Sequence, residues 1–248
     1  LLNLVAQAGG GSGTYSADQL TSLTSDHYYQ GRWERSTAEE ATDFSAVGWH
    51  FGLRLREQLS RPIGLIAMAV GGSPTESWIS ESALAHDEEL QSLVTGVWLD
   101  KPVLGDFCRS RGEQNLIGAM ASGDRIPFDQ NGPRHPFKPG FLWDAGVRPL
   151  VPLALSGVIW YQGESNANGG TASVYEELLG CMVADWRKRW GNEMSFYWVQ
   201  LANFRAPTTT PGVESDWVVV QDEMRRALKS IPKGGMAVIN EIGAANDI

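Results

Sequence analysis

Four polar residues that could do chemistry stand together directly after an apolar segment. Residues 158–161 are β-branched and aromatic, which predicts a short buried strand. Gln162, Glu164, Ser165 and Asn166 then follow within five positions. The end of a buried strand is where α/β proteins place binding and catalytic groups. A solvated surface loop would also be polar, so this pattern alone leaves both interpretations open.

The elements that must position these residues follow an alternating pattern. Strands alternate with helices from residue 42 onward, which predicts a parallel sheet covered on both faces. The predicted strands span residues 1–5, 63–70, 157–161, 195–201 and 236–242, and the longer helices span about 42–61, 172–190 and 215–231. Ligands bind beyond the carboxyl ends of such strands, so the loops at 71–73, 162–166 and 244–247 should be neighbours.

One helix prediction rests on a hydrophobic stripe. Apolar residues recur at spacings of three and four, as in an amphipathic helix. They are Phe44, Val47, Phe51, Leu55 and Leu59. Thr42 and Asp43 supply a start signal, and the helix should stop before Pro62. The sequence therefore predicts one buried face along this helix.

A second helix start follows the glycine pair Gly71-Gly72. Ser73 is suited to the N-cap, Pro74 to the first helical position, and Glu76 to the closing position of a capping box. A strand, two glycines and a helix N-terminus would present free backbone N–H groups to an oxyanion or a phosphate. A tight turn without any binding role is the alternative.

Composition excludes several classes of function. The net charge of −9 argues against a nucleic-acid partner, since the one basic cluster, residues 187–189, fits a solvated helix face. The apolar runs are too short for a membrane span. Two cysteines and four histidines without ligand spacing predict neither a metal site nor a cofactor. Ten tryptophans suit a core and also a sugar-binding cleft.

Residues 159–166, Ile-Trp-Tyr-Gln-Gly-Glu-Ser-Asn, resemble the signature of the sialate O-acetylesterase family, a branch of the SGNH (GDSL-like) esterases. Further similar blocks occur in the family's order at residues 31–33, 44–48, 62–66, 71–78, 185–191, 196–204 and 246–248. The resemblance covers residues 28–83 and 141–248. It implies a three-layer α/β/α sandwich with a central, mainly parallel sheet. Residues 1–248 would form a single domain, with a variable insertion at 84–140 over the active face.

The resemblance also implies an activity and a partner. The family hydrolyses acetyl esters on sialic acid or a related sugar through a serine nucleophile, a histidine base and an acidic residue, without a cofactor. An O-acetylated sugar is thus the expected partner, with no nucleic acid and no membrane span. A location outside the cytoplasm is expected from the resemblance alone.

Particular positions carry over from the family motifs. Asp247 would orient the histidine, although Asn246 competes for that role by position. Gly72 would donate its backbone N–H to the oxyanion, and Gln162 and Asn166 are both candidates for a side-chain donor. Glu164 would organise the loop through backbone hydrogen bonds. Ser165 is not expected to be the nucleophile, because the stretch lacks the Gly-x-Ser-x-Gly elbow.

The sequence departs from the family pattern at two places. The Gly-Gln-Ser-Asn block of the nucleophile does not occur, and Ala8 stands in the comparable position after the first strand. Asp247-Ile248 stops one residue before the family's histidine. We therefore expect the domain to be incomplete at both ends, with the serine and the histidine outside residues 1–248. The alternatives are an inactive or sugar-binding homologue, and an acetylxylan-type esterase of the same fold.

Overall fold

The computed structural model describes residues 1–123, 126–204, 209–210 and 215–244. Its strands are β1 (Leu2–Ala6), β2 (Tyr29–Gln30), β3 (Ile66–Met68), β4 (Phe128–Asp129), β5 (Gly132–Pro133), β6 (Gly157–Trp160), β7 (Ser195–Val199) and β8 (Gly234–Ala237). Its α-helices are α1 (Ala17–Ser22), α2 (Ala38–Ala41), α3 (Ala46–Leu59), α4 (Glu81–His86), α5 (Asp106–Ser122), α6 (Tyr175–Trp190) and α7 (Asp216–Ser230).

The described strands form two three-stranded sheets and a hairpin. One sheet has the order β2-β1-β3 and the other the order β6-β7-β8, while β4 pairs with β5. The pairs β1–β3, β6–β7 and β7–β8 are parallel, and β2 runs antiparallel to β1. The predicted α/β class with mainly parallel pairing is therefore confirmed. Parallel pairing places the carboxyl ends of β6, β7 and β8 at one edge.

Helix α6 forms within the helix predicted at about 172–190 and buries one apolar face. Leu178, Met182 and Trp186 are buried along one face, as residues four apart on a helix should be. The Trp186 ring lies edge-to-face against Trp160 of β6, with ring centroids 6.4 Å apart. This helix therefore packs its apolar face on the sheet that ends at the polar loop.

The buried stripe predicted for α3 is wrong. Val47, Phe51 and Leu59 are exposed, and the helix instead buries Gly48 and Gly52. A Cβ atom on Gly52 would lie 2.5 Å from a methyl carbon of Leu65. Close approach of the helix backbone to its neighbour therefore decides which face is buried, and apolar periodicity does not reveal such a glycine face.

The segment of residues 84–140 is part of the protein interior. It contributes fully buried side chains, namely Leu84, Leu90, Trp98, Leu116 and Phe137. Its assignment as an insertion over residues 84–140 stays a prediction. Cys108 in this segment and Cys181 are both free. No helix among the described residues is long and apolar enough to cross a bilayer.

Candidate active site

Three loops that follow parallel strands meet at one edge. A Cβ atom on Gly10, after β1, would lie 2.8 Å from the carbonyl oxygen of Gly71, after β3. The Ser165 hydroxyl, after β6, donates a hydrogen bond of 2.7 Å to the carbonyl oxygen of Gly72. The predicted contact between the loops at 71–73 and 162–166 is therefore confirmed. Residues 245–248 of the third predicted loop lie outside the described residues.

Gly72 presents its backbone at this edge. Its φ angle is +76°, a left-handed conformation that favours glycine. The residue is exposed, and its N–H makes no hydrogen bond within the part of the chain that the structure describes. The structure therefore leaves a backbone donor at the position where the sequence predicts an oxyanion contact.

Gln162 and Asn166 form the centre of a buried hydrogen-bond network. The Gln162 amide nitrogen donates to the carbonyl oxygen of Ser73 at 3.0 Å and to Oδ1 of Asn166 at 2.8 Å. The Asn166 amide nitrogen donates to Glu76 and to the hydroxyl of Thr171, both at 2.9 Å. Asn166 is 0% exposed and Gln162 is 9% exposed. Both amides thus bind protein groups here, and a donor role toward an oxyanion stays a prediction for each.

Thr75 joins this network from the other loop. Its backbone N–H donates to Oδ1 of Asn166 at 3.1 Å, and its hydroxyl donates to Oε1 of Gln162 at 2.6 Å. The Tyr175 hydroxyl at the start of α6 donates to the backbone oxygen of Gln162 at 3.0 Å. These bonds join the loop after β6 to the turn after Gly72.

Glu76 does not close a capping box, and the capping-box prediction is wrong. Residues Thr75–Trp78 form a single 3₁₀ turn without a side-chain cap, and the Ser73 hydroxyl instead accepts from the indole N–H of Trp78 at 3.0 Å. The Glu76 carboxylate faces Asn166 inside the protein. Burial raises the pKa of Glu76 from 4.5 to about 7, and the Asn166 amide opposes that shift only in part.

The other two residues of the polar loop have defined contacts. Glu164 is half-buried, and its backbone oxygen accepts from the Asn168 amide at 2.7 Å. Such a bond fits the predicted organising role of Glu164, which stays a prediction. Because the Ser165 hydroxyl donates to a carbonyl oxygen, it is not held by a general base as an activated nucleophile would be.

The glycine-rich loop after β1 is held by hydrogen bonds from side chains. Five of its carbonyl oxygens are hydrogen-bonded, at Ala8 by Tyr28, at Gly9 by Tyr15, at Gly10 by Arg111, and at Gly11 and Gly13 by Asn115. The Ala8 side chain is buried. These hydrogen bonds therefore give the loop a defined shape although it forms no helix or strand.

His135 contacts Tyr15 and Asn115, two of the residues that hold this loop. Its Nδ1 accepts from the backbone N–H of Phe137 at 3.0 Å, so the ring is the Nε2–H tautomer. Nε2 lies 3.1 Å from both the Tyr15 hydroxyl and Oδ1 of Asn115. Burial lowers the pKa of His135 from 6.5 to about 3. The histidine is thus neutral and structural.

Sequence reasoning missed several members of the site. Thr75, Thr171 and Tyr175 carry hydroxyl groups that bind the two amides, but no pattern around them signals this contact. Asp247, the predicted acidic residue, and its neighbour Asn246 lie outside the described residues. Their assignment rests on the resemblance alone and stays a prediction.

Residues 143–238 match the family model of a sialic acid-specific carbohydrate esterase. The sialate O-acetylesterase of Homo sapiens is 32% identical over 162 residues, which is 63% of this chain and 24% of that protein. The resemblance to the sialate O-acetylesterase family is confirmed. The Rattus norvegicus sialate O-acetylesterase is likewise 32% identical, over 63% of this chain and 28% of that protein.

A solved structure shows the same relationship. A carbohydrate acetylesterase from Xanthomonas citri aligns with a TM-score of 0.63 and 26% identity over 99% of this chain and 44% of that chain. These relatives are named sialate O-acetylesterase and carbohydrate acetylesterase, which agrees with the ester hydrolase class that the sequence resemblance predicts. The chain spans about a quarter of the length of the curated sialate O-acetylesterases it matches.

Proposed function

We propose that this protein is a carbohydrate O-acetylesterase that removes acetyl groups from sialic acid or a related sugar. The observation that carries the proposal is the backbone N–H of the exposed residue Gly72, which has no hydrogen-bond partner among the described residues and lies beside the buried network of Gln162 and Asn166. This network includes part of the segment that matches the family model. A backbone donor fixed before the substrate arrives stabilises a developing oxyanion without any reorganisation.

The proposed reaction has two steps. A serine attacks the acetyl carbonyl while a histidine takes its proton, and the Gly72 N–H binds the oxyanion of the tetrahedral intermediate. Collapse of that intermediate releases the sugar hydroxyl, which takes the proton, and leaves an acetyl-serine that water hydrolyses to acetate. Asp247 holds the histidine in the required tautomer. The serine and the histidine are not assigned to residues of this chain.

The proposal extends to the architecture and the location. The two three-stranded sheets would form one layer of an α/β/α sandwich, which the likeness to the Xanthomonas citri acetylesterase supports. We also propose a location outside the cytoplasm, since this is the location expected from the family resemblance. Reaction with an externally added, impermeant acetyl ester by whole cells would test that location.

Acetate release from O-acetylated sialic acid by the full-length gene product tests the activity. Asp247→Asn should lower kcat at least about a hundredfold, because the variant favours the wrong histidine tautomer. Asn246→Ala is the matched control and should retain activity if Asp247 is the acidic residue. Acetate release by Asp247→Asn at the wild-type rate would refute the assignment. Failure of the wild-type protein to release acetate from any sugar would refute the function.

A further inference from the structure

Two aromatic rings form a wall beside Gly72. A Cβ atom on Gly72 would lie 3.0 Å from the ring of Phe137 and 3.2 Å from the ring of Phe107. Phe137 is buried, whereas Phe107, in the first turn of α5, is 40% exposed. The Phe107 ring therefore offers a partly exposed apolar surface beside Gly72.

Arg111 lies on the Phe107 ring, one helical turn further along α5. Its guanidinium carbon is 5.4 Å from the ring centroid, as in a cation–π contact. Its Nη1 donates to the carbonyl oxygen of Gly10 at 3.0 Å, which ties it to the loop after β1. The guanidinium is thus held at the same edge as Gly72, one phenyl ring away.

The charge of Arg111 is not neutralised by an ion pair within the described residues. Neighbouring arginines differ, since Arg109 pairs with Asp106 and Arg134 pairs with Asp144. Arg111 is only half-buried, and a guanidinium has five N–H donors, of which one is used by Gly10. In a chain of net charge −9, this arrangement leaves a positioned cation with free donors beside the candidate site.

We propose that Arg111, carried on Phe107, is a specificity-determining residue that binds the carboxylate of an acetylated sugar acid. The sugar ring packs on the exposed face of Phe107 while the acetyl carbonyl reaches the Gly72 N–H. A guanidinium suits this role because its planar fork matches the two oxygens of a carboxylate. The inference rests on the proposed esterase function and names the residue by which it would distinguish charged from neutral sugars.

A matched pair of substrates tests this role. O-acetylated N-acetylneuraminic acid carries a charged carboxylate, which its methyl ester replaces with a neutral ester group. The ratio of the kcat/KM values of one enzyme preparation for these two compounds cancels any loss of folded enzyme. The full-length wild-type protein should favour the acid about tenfold or more, through a lower KM, as expected for a charge-assisted hydrogen bond. Arg111→Gln should bring the ratio close to one, and Arg111→Lys should give an intermediate ratio.

Arg109→Gln removes a positive charge from the same helix and is the control that should keep the wild-type ratio. A wild-type ratio near one, or an unchanged ratio in Arg111→Gln, would overturn the proposal. If no acetate is released from either compound, the esterase function is refuted. Binding of deacetylated N-acetylneuraminic acid and of its methyl ester then tests the role of Arg111 separately. Calorimetry should show tighter binding of the acid than of its methyl ester, with a preference that Arg111→Gln removes; equal affinities would overturn the role of Arg111.

Discussion

Glu76 should make the stability of this protein fall as the pH rises. Its carboxyl group is completely buried, with a pKa of about 7 against 4.5 for the free side chain. In the unfolded chain the group therefore loses its proton at lower pH than in the folded protein. Its contribution to stability is fully present below pH 4.5 and is lost as the pH rises through 7. The difference between the two pKa values corresponds to about 3 kcal/mol.

Glu76→Gln removes this titration while keeping an oxygen that can accept from Asn166. Urea unfolding at pH 4.5 and at pH 8 gives the free energy of unfolding for both proteins. The wild-type protein should lose about 3 kcal/mol more than Glu76→Gln between these two pH values. All other titrating groups are common to both proteins, so the difference between them isolates Glu76.

Glu57→Gln provides the control, since Glu57 is exposed and paired with Arg54 on the surface. This variant should follow the wild-type pH dependence. An equal loss of unfolding free energy in wild type and Glu76→Gln would refute the reasoning. It would mean that the hydrogen bond from Asn166 keeps Glu76 ionised despite its burial.

Three further changes test other parts of the site. Gly72→Ala should lower the free energy of unfolding by about 1–2 kcal/mol in urea. The control Gly123→Ala should cost less, because both glycines have a φ near +75° but only Gly72 has aromatic rings next to its Cβ position. Thr75→Val should cost about 0.5–1.5 kcal/mol by removing the hydrogen bond from the Thr75 hydroxyl to Oε1 of Gln162, and Thr75→Ser should restore most of this. Equal stabilities of all three proteins would show the hydroxyl to be dispensable. Since burial lowers the pKa of His135, its contribution to stability is lost as the pH falls below 6.5. The wild-type protein should therefore lose more unfolding free energy between pH 7 and pH 4 than His135→Gln, and an identical loss would contradict the neutral ring.

The parts of the fold that follow from local pattern were predictable. Strand β6, helix α6 and the polar loop between them follow from apolar periodicity and the abrupt change at Gln162. The contact between the loops at Gly72 and Ser165 was expected from the rule that loops after the strands of an α/β fold meet beyond the strand ends, and it holds although β3 and β6 belong to separate three-stranded sheets. In each case a local signal and a general rule of sheet topology are sufficient.

The errors arise where packing between distant segments decides the outcome. Helix α3 buries Gly52 because its backbone approaches Leu65, a residue beyond the end of the helix that the helical apolar pattern does not include. Glu76 has the right spacing for a capping box, yet its carboxylate binds Asn166, ninety residues away. The buried hydrogen bond between Glu76 and Asn166 formed in place of the predicted capping box, whose local preference is only moderate.

The glycine-rich loop has a consequence for how such enzymes diversify. Its carbonyl groups at residues 10, 11 and 13 are held by Arg111 and Asn115, which are more than a hundred positions away on α5. Exchanging residues 84–140 for the matching segment of a relative would therefore remove the partners of the loop as well. A graft that keeps the loop in this shape must transfer the loop and this segment together.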